Sequence, residues 1–399
     1  MAPSRNIVIA GAGIGGLAAA LALAQRGFRV VVLDQAEQLE EAGAGIQLSP
    51  NATRILIGLG LEDRLANAAV TPSAVEIRSS RGSVMARLPL GEYAANRYGA
   101  PYWVTHRGDL QAALADAVRA SPDISLKLGT RFEDFVVHGN GVSVGCRHGA
   151  ESAHQTGIAL ICADGLWSRL RLLLGQRDKP AFRGRTAWRA LVPAASMPAE
   201  LRGDAVRLWL GHGAHLVHYP VKAGTLINIV AIVDDRWDKP GWSEPGDPKE
   251  IAERFASWRW SDLAREVIAA PEHWHKWALY DLPALKRWGD GPVTLIGDAA
   301  HPMLPFLAQG AAMAIEDAAV LASAFARTPD DAPGAMRRYE RQRRRRTRKA
   351  QRGARRNSRV YHLSAAEALM RNLTLRTLGG KMLLRSYDWL YDWRPTPPR

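Results

Sequence analysis

The chain has 399 residues, 47% of them hydrophobic and 23% charged, and 53 Lys and Arg against 39 Asp and Glu give a net charge of +14. That length accommodates two or three domains with a sizeable core and excludes a chain that is disordered over most of its length. Cys146 and Cys162, the two cysteines, lack CxxC spacing; they exclude a disulfide scaffold and a thiolate zinc centre, and point to a reducing, cytoplasmic setting.

From Asn6 to Gln25 no residue is charged, a run long enough for a signal sequence or a membrane span. Gly11, Gly13, Gly15 and Gly16 interrupt it where a hydrophobic helix must be continuous, and Phe28 to Leu33 (FRVVVL) reads as a strand. The segment is therefore predicted as a strand (Ile7 to Ala10), a glycine turn, a helix (Leu17 to Arg26) and a strand ending at Asp34. No other uncharged segment is long enough to cross a bilayer, so no membrane span is expected.

Gly11-Ala-Gly13-Ile-Gly15-Gly16 satisfies GxGxxG, with glycines at 11, 13 and 16. The pattern supplies a tight turn, close approach of backbone to a pyrophosphate, and close packing of helix on strand. Asp34 is placed to accept a hydrogen bond from a ribose hydroxyl. These features predict a dinucleotide site and leave NAD and FAD both open.

Three later segments bear on that choice. Thr105-His106-Arg107-Gly108-Asp109-Leu110 leads into a predicted helix, Leu110 to Arg119, where Arg107 could meet a phosphate. Asp164-Gly165-Leu-Trp-Ser168-Arg-Leu170-Arg171 follows an apolar strand, Ala159 to Ala163. Leu295-Ile296-Gly297-Asp298-Ala299-Ala300-His301-Pro302 puts Asp298 just after a buried strand, where it could hold a ribityl hydroxyl. A loop through Pro305, Gln309 and Gly310 then enters a helix from about Ala311, whose N-terminus suits an electron-rich group such as the N1/O2 edge of a reduced flavin.

Two other patterns are set aside. Gly141-Val-Ser143-Val-Gly145 matches the hydrolase GxSxG, but Phe132 to His138, a Gly-Asn-Gly turn and Val142 to Cys146 read as a hairpin and not a strand-to-helix elbow. His212, His215 and His218 recur every third residue, yet on a strand His215 faces away from the other two, so no metal site is expected. The stretch from Arg183 to Val233 reads as several short strands of one sheet.

Together GAGIGG, the DGxxSxxR segment and GDAAHPMLPFLAQGAAMAIEDA resemble the group A flavoprotein monooxygenases, the single-component aromatic hydroxylases, in order and spacing over nearly the whole chain. Gly43-Ala-Gly45-Ile46-Gln47-Leu-Ser-Pro50-Asn51, the His215 and Tyr219 pair, and Tyr387 to Trp393 are similar to the branch of salicylate hydroxylase, 3-hydroxybenzoate 6-hydroxylase and 6-hydroxynicotinate 3-monooxygenase. The resemblance implies an α/β fold: a Rossmann-like FAD-binding domain of the p-hydroxybenzoate hydroxylase type (residues 1–73, 101–180 and 276–338), interrupted by a β-sheet substrate domain (74–100 and 181–275). A basic helix and C-terminal helical segment (339–399) would follow. Gly11, Gly13, Gly16, Asp34, Gly45, Ile46, Arg107, Asp164, Asp298, Pro305, Gly310 and Ala311 would bind FAD, tightly and non-covalently, with the loop from Pro302 to Gly310 against the isoalloxazine. NADH or NADPH would serve as transient reductant, in keeping with the lack of a second glycine fingerprint, and O2 as co-substrate.

In such enzymes a C4a-hydroperoxide of the flavin delivers oxygen to an activated ring, here a salicylate-, hydroxybenzoate- or hydroxynicotinate-like acid, with release of CO2 if the attacked carbon bears the carboxylate. The ring is activated by loss of a phenolic proton, a task suited to histidine. His215 and Tyr219 match the branch's catalytic His and Tyr, and their four-residue spacing puts both on one face of a strand, with His218 on the other. A Gln expected in the 3-hydroxybenzoate type falls near Pro305 here, which leaves salicylate-like and heterocyclic acids open. Arg189 and Arg207 are candidates for the substrate carboxylate. Alternatives are a flavin-binding sensor and a non-hydroxylating flavin oxidoreductase; no WxWxIP halogenase motif is present.

Late in the chain, residues 337–359 hold thirteen Lys and Arg against Glu340, which leaves +2 for the other 376 residues. A helix there would carry cations round most of its circumference, so it is expected to be long and solvated, a connector to the C-terminal helices. Nucleic acid or an anionic membrane is the alternative partner, disfavoured because residues 340 to 359 contain no aromatic to stack on bases. A homodimer is left open.

Overall fold

The computed structural model describes residues 5–39, 44–241, 243–257 and 259–395. Its first layer is a six-stranded sheet in the order Gly289–Asp290, Val293–Leu295, Ala159–Cys162, Asn6–Ala10, Arg29–Leu33 and Ile124–Lys127, parallel except at the first pair. The central strands are apolar along their length because both faces are covered, as a parallel sheet requires. The helix Ile14–Ala24 begins three residues before the position expected from sequence, directly at the glycine turn. It packs on Gly310–Arg327, with Ala314 against Gly15 and Phe325 edge-on to Phe28.

The second layer is an eight-stranded sheet in the order Glu244–Gly246, Trp274–Asp281, Ala181–Pro193, Leu226–Asp234, Ala214–Val221, Val206–Leu210, Ala74–Ser79 and Val84–Pro89. Its strands are longer than the short ones expected: Ala181–Pro193 runs for 13 residues, with a register shift between Phe182 and Thr186. One face carries Trp188, Trp209, Leu216 and Ile229 against Phe255 and Val267 of two short helices. The other turns toward the cofactor half. The segments Thr130–His138 and Gly141–His148 form the expected antiparallel hairpin, which disposes of Ser143 as a nucleophile.

The basic segment corrects the sequence expectation. It lies within one 30-residue helix, Ala332–Tyr361, capped by Asp331. Far from being solvated all round, this helix buries Met336, Tyr339, Arg343, Thr347, Ala350 and Ala354 in one stripe. The circumference argument failed because the inward positions are mainly small or aromatic, and Arg343 is paired. Its Nε donates to Asp317 Oδ1 at 2.7 Å, and its other nitrogens reach Glu316 and the Met313 carbonyl. Arg346 donates to both oxygens of Glu316 at 2.6 and 2.7 Å. Aromatics also cover the cations after all, supplied by a later segment: Trp389 and Trp393 stack on Arg346, and Lys349 lies 4.0 Å from the Trp389 ring centre. Among the described residues no helix is long and apolar enough to cross a membrane.

Removing Arg343 takes away the one cation shared by two buried carboxylates, leaving Glu316 with Arg346 and Asp317 with His301 and the Gly297 amide. Arg343→Met is expected to cost about 3–5 kcal/mol, whereas Arg345→Met on the exposed side of the same helix should stay within about 0.5 kcal/mol; urea denaturation of the two variants checks the difference.

Candidate functional site

The glycine turn sits where the order of the parallel sheet reverses, between the ends of Asn6–Ala10 and Ala159–Cys162, the position at which open α/β sheets bind ligands. Each glycine answers to a different constraint. Gly11 has φ +111°, and a side chain there would overlap the Ala163 carbonyl; one at Gly16 would overlap the Gly11 carbonyl. At Gly13 a Cβ would meet nothing within 4 Å. Two glycines are needed by the protein's own packing, and the third faces open space at the N-terminus of a helix that has no side-chain cap. Asp34 accepts from Ala12 N at 2.6 Å and from Ala36 N at 2.9 Å, so it ties the turn to the second strand while keeping lone pairs for a ribose hydroxyl.

The other predicted cofactor residues gather round this turn. Asp164 follows Ala163 immediately; its Oδ2 accepts from Leu170 N at 3.1 Å, while Oδ1 is buried without a protein partner among the described residues. Burial raises its pKa. The antiparallel pair of Gly45–Leu48 and Trp103–His106 aligns Gly45 with His106 and Ile46 with Thr105, which brings Arg107 beside them through its backbone bond to Ala44 (2.8 Å). Gly43 lies outside the described residues. Asp298 is exposed at the start of its loop; desolvation raises its pKa, against the charges of His301 and Arg107. Gly310 and Ala311 open the Gly310–Arg327 helix, also without a side-chain cap; Gln309 points instead to Ser49 (2.8 Å). Pro305 is exposed in the turn before it.

This geometry fits an extended dinucleotide: an unfilled glycine cradle, an orphaned carboxylate oxygen, a basic residue at one strand's end and a free helix N-terminus. Backbone amides there would face an anionic or electron-rich group.

Gly45 joins this site to the second sheet. Its N donates to Asn228 Oδ1 at 2.6 Å, and a Cβ would come within 2.6 Å of both Tyr219 and Asn228. Tyr219, 4% exposed, therefore stands at the cofactor cleft, near Gln47 and Tyr102, whose hydroxyl donates to Gln47 at 2.7 Å. His215 shares its face of Ala214–Val221, about 13 Å along the strand by the usual rise, with Val217 between. The His215 ring packs against Phe306 of the Pro302–Gly310 loop, with ring centres 5.1 Å apart. It is 2% exposed and held neutral: burial pushes its pKa well down, aided by the charges of His362 and Arg185.

His218 points to the opposite face, as expected, and stacks on Trp209. Arg207 lies on that face too. It donates to Glu76 at 3.2 Å and to the Leu201 carbonyl at 2.8 Å, which removes it as a candidate for the substrate carboxylate. Arg189 is on the Tyr219 face, over the Trp277 ring at 4.9 Å, and its charge acts on the Tyr219 hydroxyl. Among the described residues no group of His, Cys, Asp and Glu is arranged for a metal. Asn228 and His362 were not anticipated. Asn228 carried a signal, a lone amide in the apolar run LINIVAIV, whereas His362 follows the basic helix with nothing to mark it.

A family model described as an FAD binding domain matches residues 5–354. The chain belongs to this FAD-binding family. It is 37% identical over 389 residues to 3-hydroxybenzoate 6-hydroxylase of Polaromonas naphthalenivorans, covering 97% of this chain and 96% of the relative. It is 38% identical over 395 residues to 3-amino-4-hydroxybenzoate 2-monooxygenase PtnB3 of Streptomyces platensis (98% and 97% covered). Among solved structures, a salicylate hydroxylase substrate complex superposes with a TM-score of 0.82 at 27% identity, covering 99% of this chain and 97% of the other. The protein is an FAD-dependent monooxygenase with the expected mixed α/β architecture.

Two outcomes follow from the site. Gly13→Ala should leave the melting temperature unchanged but weaken FAD binding, whereas Gly16→Ala should lower the melting temperature itself; flavin fluorescence titration and thermal melts separate them. Burial, with help from Arg207 and Arg78, pushes His218 from 6.5 down to about 3. The unfolded chain takes up that proton first, so this contribution to stability is complete above about pH 6.5 and is lost as pH falls toward the folded value. Melting temperature should drop between about pH 6.5 and 4, less steeply in His218→Leu.

Proposed function

We propose that His215 and Tyr219 are the catalytic pair of a single-component hydroxylase that uses NAD(P)H and O2 to oxidise a small aromatic acid, salicylate-, hydroxybenzoate- or hydroxynicotinate-like. The observation that carries this reading is the placement of a buried, neutral imidazole on the sheet face that also presents Tyr219 to the cofactor cleft, over the Phe306 loop. FAD supplies the oxygen-transfer chemistry when bound. Gly11, Gly13, Gly16, Asp34, Gly45, Ile46, Arg107, Asp164, Asp298, Pro305, Gly310 and Ala311 would hold it.

The chain's own residues do the rest. A neutral His215 accepts the phenolic proton, which makes the ring more nucleophilic. Tyr219, whose pKa is raised by burial, stays protonated and donates a hydrogen bond that positions the substrate. Arg189 offers its guanidinium to the carboxylate. Phe306, Val217 and the surrounding apolar sheet face exclude water.

The substrate unit is read as residues 74–100 plus 181–281, extended from the sequence boundary at 275 because Trp274–Asp281 is one continuous strand of the eight-stranded sheet. The cofactor domain resumes after 281, and by the same reasoning the C-terminal unit begins with the continuous Ala332–Tyr361 helix and not at 339. A cytoplasmic enzyme of aromatic catabolism, with no nucleic-acid partner, fits the free buried cysteines and the inward-paired arginines. Leu369, Met370 and Leu373 are exposed on one helix and offer a surface for a homodimer.

The test is purified holoenzyme, followed for NADH or NADPH oxidation with a panel of hydroxybenzoates and hydroxynicotinates, with products identified by mass. His215→Ala should keep its FAD and lose hydroxylation by about 100-fold, diverting reducing equivalents to hydrogen peroxide. Near-normal product from that variant removes the assignment; yellow protein inert to the whole panel points to a substrate outside it.

A further inference from the structure

A base that is buried and unwilling to stay charged must pass its proton on. His215 has a partner suited to that: its Nδ1 lies 2.8 Å from Nε2 of His362, and His362 Nδ1 lies 2.7 Å from Oδ1 of Asp234. The side chain of His362 is 2% exposed and that of Asp234 is 52% exposed, so the series runs from the sheet face to water. Asp234 ends the strand next to that of His215, while His362 comes from the C-cap of the Ala332–Tyr361 helix.

His362 Nδ1 faces an acceptor-only carboxylate at 2.7 Å and the donor-only Arg185 Nε at 3.2 Å; Arg185 Nε has its shorter bond to Asp234 at 2.8 Å, so the tautomers are assigned from the Asp234 contact. His362 Nδ1–H donates to Asp234, which leaves its Nε2 lone pair to accept from His215 Nδ1–H. The lone pair of His215 is then on Nε2, the nitrogen not committed to His362. Every hydrogen in the series points outward, the arrangement required for a proton to enter at His215 Nε2 and another to leave at Asp234.

We propose that His362 and Asp234 form a proton exit that carries the phenolic proton from His215 to solvent. The step balances without a co-reactant: the substrate O–H breaks, His215 Nε2 gains that proton, Nδ1 gives its own to His362 Nε2, and His362 Nδ1–H passes to Asp234 and water. His362 and Asp234 are positioning residues, since neither touches the ring. The inference rests on the proposed role of His215.

The other groups round the series set its direction. Arg185 donates to Asp234 at 2.8 Å and to Ser358, and lies over the Phe306 ring. Its charge disfavours a proton resting on either histidine, as does Arg371 at His362; Asp234 alone draws one outward. Tyr361, packed on His215, has its pKa pushed well up by burial and stays neutral.

Two measurements test the proposal, one independent of substrate. In the ligand-free holoenzyme, nitrogen-15 NMR of the imidazoles should show His215 protonated on Nδ1, with this preference lost in His362→Phe. In stopped-flow binding of hydroxybenzoates and hydroxynicotinates to the oxidised enzyme, read with a pH indicator, proton release should slow at least about tenfold in His362→Gln and Asp234→Asn, with FAD content and ligand affinity retained. Protonation of His215 on Nε2, or release at the parental rate in both variants, overturns the exit. If the tautomer is as stated but no panel acid binds, the substrate reading fails and the hydrogen-bonded series stands. Asp234, at the surface, keeps the test decisive should the His362 variants not fold.

Discussion

Two adjacent carboxylates with no access to water, Glu316 and Asp317, set the arrangement of the cofactor half. A buried charge is tolerated only when it is paired and hydrogen-bonded, and these two draw partners from three other parts of the chain. Glu316 takes Asn51 Nδ2 at 2.6 Å, Arg343 and Arg346. Asp317 takes Arg343, the Gly297 amide at 2.9 Å and His301 Nε2 at 2.6 Å. Burial would raise the Asp317 pKa, but His301 and Arg343 hold it below the ordinary range. The loop bearing Asp298, the entry to the Gly310–Arg327 helix and the segment after Gly45–Leu48 are thus anchored to one charged cluster, so the groups facing the cofactor cleft share a common support.

Several of the contacts that hold the second sheet against that support coincide with the chemistry. Asn228 grips the Gly45 amide, Tyr219 lies where a Gly45 side chain would be, and Lys222 pairs with Asp109. Phe306 closes the far side over His215. The two proposed catalytic side chains stand at opposite ends of this contact. Their separation along one strand is about 13 Å by the usual rise, with Val217 on the same face between them.

The parts legible in the sequence are those in which a short segment carries its own constraint. The glycine turn is one, since Gly16 is fixed by the carbonyl of Gly11 within the same turn, although Gly11 itself also answers to the Ala163 carbonyl on the neighbouring strand. The parity of His215, Tyr219 and His218 is another, because strand periodicity decides it locally. Arg207 and the basic helix were misread for the opposite reason: their partners, Glu76, Glu316 and Asp317, lie on other elements, and no local pattern pairs an arginine with a distant acid. His362 was invisible because its meaning comes from Asp234 and His215, which only the assembled sheet brings to the end of the long helix.

The bond between Asn51 and Glu316 spans 265 residues, and Arg343 must arrive before the carboxylates it neutralises can be buried. A chain emerging from the ribosome therefore cannot close its nucleotide half until nearly all of it has been made, although the glycine turn is among the first segments to appear. Such non-local closure is slow and leaves apolar strands waiting for partners. The long basic helix is thus the last strut of the fold, and a chain cut short of Arg343 would keep its dinucleotide fingerprint and still have no cleft to put it in.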